Sequence, residues 1–227
     1  MSTDKLLSVP IPLETDTYKP ITHREVIEVI NEYSPVGILN RTHYSVNGGY
    51  AVRSIYEFEV DEEMNGVISV NNSYDKSMAF KVHIGMKVKV CANGMFMNIL
   101  NNTYRRKHVE DVQVEYKEQL LEKFSSLEAF IKSHVTARET LKSITMTKEE
   151  MYKETLNASI YGHFGNRFNN FKKIANEIEQ PSFNYHNGLS RWDFYNHCTI
   201  AMNDLKFNAF DCTHRKISNH FKLETII

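Results

Sequence analysis

The chain has 227 residues, 41% of them apolar and 24% charged, with a formal net charge of -1. That supplies a real core and excludes both a disordered chain and a uniformly basic nucleic-acid binder, while leaving room for a local basic groove. Three cysteines (Cys91, Cys198, Cys212) make no disulfide framework, and no apolar run approaches the roughly 20 residues of a membrane span, so the expected location is a reducing cytoplasm with no membrane partner.

Residues 1–19 lack periodicity and contain Pro10 and Pro12, which reads as an extended N-terminal arm or a late-packing strand. Residues 20–227 read as a single α+β domain, sheet-rich over 36–92 and helical over 105–222. Thr22 and Glu25 have capping-box spacing, and Val26, Val29, Ile30 and Tyr33 follow at helical steps, so a helix starts here and ends by Pro35 and Gly37. Four segments rich in Val, Ile, Tyr and Phe come next: 37–46, 49–60, 66–72 and 78–91. Asn47-Gly48-Gly49 is a turn signal between the first two. Alternation over Ser54–Val60, Lys81–Ile84 and Lys87–Val90 marks half-buried strands, with Gly85 as a bulge or close approach. After Asn93-Gly94 the pattern becomes helical: 109–143, broken near Ser125-Ser126, then 148–161 behind a second capping box (Thr147, Glu150), 166–179 and 189–208. The expected fold is an antiparallel four- to five-stranded meander with one N-terminal helix and a C-terminal helical half packed on the sheet.

Several segments could carry chemistry. Asn71–Ser77 places small polar groups and Asp75 at a strand end, suited to a ligand but equally to a hairpin turn. Cys91 lies at a strand end before Asn93-Gly94, where a thiol can be activated, although an isolated cysteine is more often a small buried hydrophobe. Tyr104-Arg105-Arg106-Lys107-His108 joins cations to an aromatic ring and suits phosphates and a stacked base; Lys81, Lys87 and Lys89 could enlarge it, Lys87 and Lys89 sharing a strand face. Gly162-x-x-Gly165 beside Arg167, Lys172 and Lys173 has the spacing of a KH clamp, but no strands of a KH sheet are evident around it and helix capping by Gly162 is the better account. His197, Cys198, Cys212, His214 and His220 are zinc-type ligands without zinc-type spacing, so no metal and no cofactor is expected. Trp192, Tyr195, Thr199 and Met202 form a helical stripe that reads as core docked on the sheet, with Asn196 bonding nearby backbone.

The run from Val70 through Asn72, Ser73, Asp75 and Ser77, then Val88 through Cys91, Asn93 and Gly94, then Trp192 with Asn196 and Thr199, resembles the signature of the domain-of-unknown-function 932 family of phage- and plasmid-like proteins. Lys76 stands where that family has Gly, and Lys87 or Lys89 near where Arg is usual. The resemblance implies a mobile-element origin and supplies no catalytic residues.

Together these readings lead to a non-enzymatic nucleic-acid-binding protein, with single-stranded DNA as partner in replication or recombination. The binding residues would be Tyr104, Arg105, Arg106, Lys107, Lys87 and Lys89. The order of helix, meander and long helix is similar to that of single-strand annealing proteins, an analogy of fold alone. The alternatives are an interaction factor that engages a host protein or a virion, and an enzyme using Cys91 and Asp75. Homo-oligomerisation is compatible with each.

Overall fold

A computed structural model describes residues 1–34, 36–89, 96–106, 112–161, 168–183, 189–201, 216–221 and 223, with side chains described outside 96–106, 112–115, 119 and 168. The fold is α+β. Helices α1 (Thr3–Leu7) and α2 (His23–Tyr33) precede strands β1 (Ile38–Val46), β2 (Ala51–Glu59), β3 (Met64–Ser73), β4 (Phe80–Val88) and β5 (Phe96–Arg106). Helices α3 (Val112–Ser125), α4 (Leu127–Ser143), α5 (Lys148–Ile160), α6 (Phe168–Glu179) and α7 (Arg191–Ala201) follow. The strands form one five-stranded sheet in the order β1-β2-β3-β4-β5, a meander, and the β1–β2 and β2–β3 ladders are antiparallel. None of the described helices is long and apolar enough to cross a membrane.

The chain separates into two compact units. The first comprises 1–61, 65–85 and 99–128; the second comprises 62–64, 86–98 and 129–227. In the first, α2 starts with the expected capping box: Thr22 Oγ1 accepts from Glu25 N, and Glu25 Oε2 accepts from Thr22 N. Its buried face carries Val26, Ile27, Val29 and Ile30. Asn47, Gly48 and Gly49 all adopt positive φ, which explains why Asn and Gly occupy the β1–β2 turn. Across the β2–β3 ladder, Phe58 faces Gly66. A Cβ at Gly66 would sit 1.9 Å from the Phe58 ring, so the missing side chain is what seats that fully buried aromatic. Phe80 of β4 meets Tyr116 of α3 edge to face at 5.4 Å, closing this core.

Two features of this unit correct the sequence reading. Residues 1–19 are not an extended arm throughout: α1 is a short helix capped by Ser2, and Leu6, Val9 and Tyr18 are buried. A five-residue helix has too little periodicity to be seen in sequence, and its order comes from docking: Val9 Cγ2 would lie 2.7 Å from a Cβ at Gly49. The helical pattern expected after residue 94 is also displaced. Residues 96–106 are strand β5, so Arg105 and Arg106 end a strand rather than begin the helical half. Tertiary pairing next to β4 overrides the local pattern there.

In the second unit α5 packs on α6 and α6 on α7. The break between α3 and α4, still within the first unit, falls at Ser126, as expected. Thr147 and Glu150 form the second capping box. The β2–β3 turn belongs here, because Glu63 binds Lys142 Nζ at 2.5 Å and lies 3.6 Å from Arg138 Nε on α4. A two-residue antiparallel bridge, Thr145 with Ser190, brings the end of α4 to the start of α7.

Candidate functional site

The polar segment at the β3 end is a structural clamp. Asn72 and Ser73 are the last residues of β3 rather than turn residues. Asn72 Nδ2 donates to the Ile21 carbonyl at 2.8 Å and meets His23 Nδ1 at 3.1 Å. His23 Nε2 lies 3.0 Å from the Gly49 carbonyl, which must accept, so the ring carries its proton on Nε2 and Nδ1 accepts from Asn72. Tyr74 stacks on His23 with ring centroids 4.1 Å apart, and its hydroxyl accepts from His23 N. Ser73 Oγ both donates to the Met78 carbonyl and accepts from Met78 N, which closes the turn. Asp75 accepts from Ser77 N and from Asn47 Nδ2, and bonds led by the Ser77 hydroxyl hold its carboxyl below the ordinary range. Both oxygens are therefore engaged in turn geometry, and an acid–base role for Asp75 finds no support in its surroundings. Lys76 has φ +62 and lies over the Tyr18 ring at 4.5 Å.

Cys91, Asn93, Gly94 and Lys107 lie outside the described residues, as do His108, the Gly162–Arg167 segment, Met202, Cys212 and His214. Tyr104, Arg105 and Arg106 are the last three residues of β5, the strand at one edge of the described sheet. Lys81 and Lys87 are half-buried on β4. Lys89 does not share a strand face with Lys87, because β4 ends at Val88 and the chain bends; Lys89 N instead donates to the Glu63 carbonyl at 2.8 Å. Lys81 belongs to the first unit with Arg105 and Arg106, and Lys87 and Lys89 belong to the second.

The Trp192 stripe is core, as its spacing predicted: Trp192, Tyr195, Asn196 and Thr199 are buried, and Trp192 stacks on Tyr195 at 5.2 Å. Cys198 is fully buried, and that burial pushes its thiol well up, which makes it inert. Around it lies a polar arrangement that the sequence reading missed. Arg191, the first residue of α7, forms a bidentate pair with Glu154 of α5 (Nη1–Oε2 2.9 Å, Nη2–Oε1 2.6 Å), and His220 Nε2 shares Oε1 at 2.8 Å. Burial raises the Glu154 carboxyl, but the His220 bond and the Arg191 charge outweigh it and the net displacement is downward. Ser190 and Asp193 form a further capping box, with Asp193 Oδ2 accepting from both Ser190 N and Ser190 Oγ. That Ser-x-x-Asp spacing is legible in sequence; the Glu154–Arg191 pairing across 37 residues is not.

Beside the pair opens a pocket of about 330 Å³ lined by Ile144, Thr145, Met146, Glu150, Lys153, Glu154, Asn157 and Arg191. Among the described residues no group of three or more His, Cys, Asp or Glu side chains is arranged to hold a metal ion. No protein-family model, curated protein or solved structure matches the chain.

Proposed function

We propose that this chain is a non-enzymatic nucleic-acid-binding protein of phage or plasmid origin, as the resemblance to the domain-of-unknown-function 932 family implies, and that its ligand is single-stranded DNA. The supporting observation is the position of Tyr104, Arg105 and Arg106 at the end of edge strand β5, beside β4, which carries the partly exposed Lys81. Cationic residues on two neighbouring strands suit contacts along a phosphate backbone, and an aromatic residue in the same run suits a base. The test is a salt-dependent gel shift with an oligothymidylate. Arg105→Ala/Arg106→Ala should weaken binding and reduce the slope of log K against log salt by about 1.4, roughly 0.7 per lost contact on a single strand. No binding at low salt removes the reading.

A second reading, an interaction factor for a host protein, is favoured by the opposite edge. There β1 exposes Leu39, Tyr44 and Val46, an apolar set that edge strands ordinarily avoid. An extended segment of a partner could add to this edge as a sixth strand. Stoichiometric recovery of one host protein, lost in Tyr44→Lys/Val46→Lys, would support it; sedimentation as a dimer would assign the edge to a second copy instead.

A further inference from the structure

We propose that the pocket of the second unit is a binding site for a small organic anion, a carboxylate with a compact apolar body. The inference is independent of the nucleic-acid reading. One wall is a single face of α5, since Glu150, Lys153, Glu154 and Asn157 stand at steps of three and four residues. The other wall is the bridge between residues 144–146 and 189–191, fixed by Arg191 N donating to the Ile144 carbonyl (2.8 Å) and Met146 N to the Leu189 carbonyl (2.7 Å). At about 330 Å³ the space lies at the small end of the ligand-pocket range.

The charges decide the ligand. Both acids already have donors: Glu150 Oε2 accepts from Thr147 N and Oγ1, and Glu154 accepts from Arg191 and His220. The cations retain capacity. Lys153 is exposed; its charge acts on Glu150 one turn away, but its ammonium makes no hydrogen bond or close ion pair among the described residues. Arg191 directs only two of its five N–H donors at Glu154. The Asn157 amide lines the same space, and the unengaged donors of Lys153 and Arg191 are the groups that would take an anionic head. Ile144 and Met146 line the same space, and the exposed Leu189 follows from Met146 across the bridge, so an apolar body is accommodated beside the anionic head. Inorganic phosphate would leave that apolar wall unused.

The experiment is an NMR titration of the full chain with sodium benzoate, with acetate and inorganic phosphate at matched ionic strength. The expected result is saturable benzoate binding that shifts the amides of 144–157 and 189–191 and weakens roughly fivefold in Lys153→Gln, the scale of one partly exposed charge contact. A second variant, Ile144→Ser, should weaken benzoate and leave acetate unchanged. Absence of saturable benzoate binding, or an affinity unchanged by Lys153→Gln, overturns the site. Phosphate or acetate binding as tightly as benzoate overturns the ligand class.

Discussion

The sheet unit and the helical unit handle buried polar groups differently. In the first, buried polar side chains close on distant backbone (Asn72 on the Ile21 carbonyl, His23 on Gly49) as well as on one another, as in His43 with Ser54 and Arg53 with Ser69. Each such bond pins one segment to another, and the polar groups are part of the register of the fold. In the second, the long-range links are largely ion pairs between side chains, while side chain–backbone bonds are mostly local. Glu154 holds Arg191 and His220, Glu63 holds Lys142, and Glu177 holds the Ser182 backbone and hydroxyl. His134 donates Nδ1–H to the Phe130 carbonyl, and Nε2 is left without a partner among the described residues. The pocket of the second unit opens beside one such ion pair, Glu154 with Arg191.

The sharpest way to break the sheet unit is Gly66→Ala. The new methyl would overlap the Phe58 ring within a fully buried core, and a loss of about 3 kcal/mol in urea unfolding is expected. A loss under about 1 kcal/mol would mean that the ring can move aside. Asn72→Ala removes the donor to Ile21 and to His23 Nδ1 and should cost about 2 kcal/mol. Hydrogen exchange should then rise at the start of α2 and the end of β3.

The corresponding change in the helical unit is Arg191→Met. It leaves Glu154 without its bidentate partner, but both groups keep some solvent contact, so the expected loss is about 1.5 kcal/mol. Exchange should rise in α5 and α7 while the β2–β3 amides stay protected; uniform loosening would contradict the contrast between the units.

Acid should separate the units by a smaller amount. Burial is the leading cause that holds His43, His134 and His197 below their ordinary pKa. Their contribution is complete above about pH 6.5, the unfolded value, and declines as pH falls through the lowered folded values, because the unfolded chain takes up protons that the native state refuses. Two of the three, and Glu154 at still lower pH, lie in the second unit. Exchange measured between pH 7.5 and 5 should therefore rise first in α4 and α7. The smallest effect is a gain. Lys76→Gly relieves a left-handed residue but loses its place over Tyr18 and loosens the unfolded chain, so about 0.5 kcal/mol of stabilisation remains.

Much of this architecture is legible in the amino-acid order. Thr22 with Glu25 and Thr147 with Glu150 mark two helix starts, because a capping box is a local motif whose partners are three residues apart. Asn47-Gly48-Gly49 marks the β1–β2 turn because positive φ selects those residues wherever they occur. Alternation over Ser54–Glu59 in β2 reports which side chains are buried, whereas the stripe around Trp192 marks only part of a helix that is buried on nearly every side. The candidate site was less legible: Arg105 and Arg106 stand out as a basic run, but nothing local says that they end a strand.

Only the tertiary structure decided the rest. Strand β5 exists because β4 offers it a ladder, and α1 because Val9 fits against a glycine forty residues away. Asp75 and Asn72 look like ligand groups in sequence, and in the structure they fasten distant segments, Asp75 to the β1–β2 turn and Asn72 to Ile21 and the first residue of α2. The pocket beside Arg191 is assembled from residues 144 to 191, with no motif shared between its walls. Short-range chemistry is written in residue spacing, whereas pairing between distant segments depends on a geometry that appears only when the chain has folded.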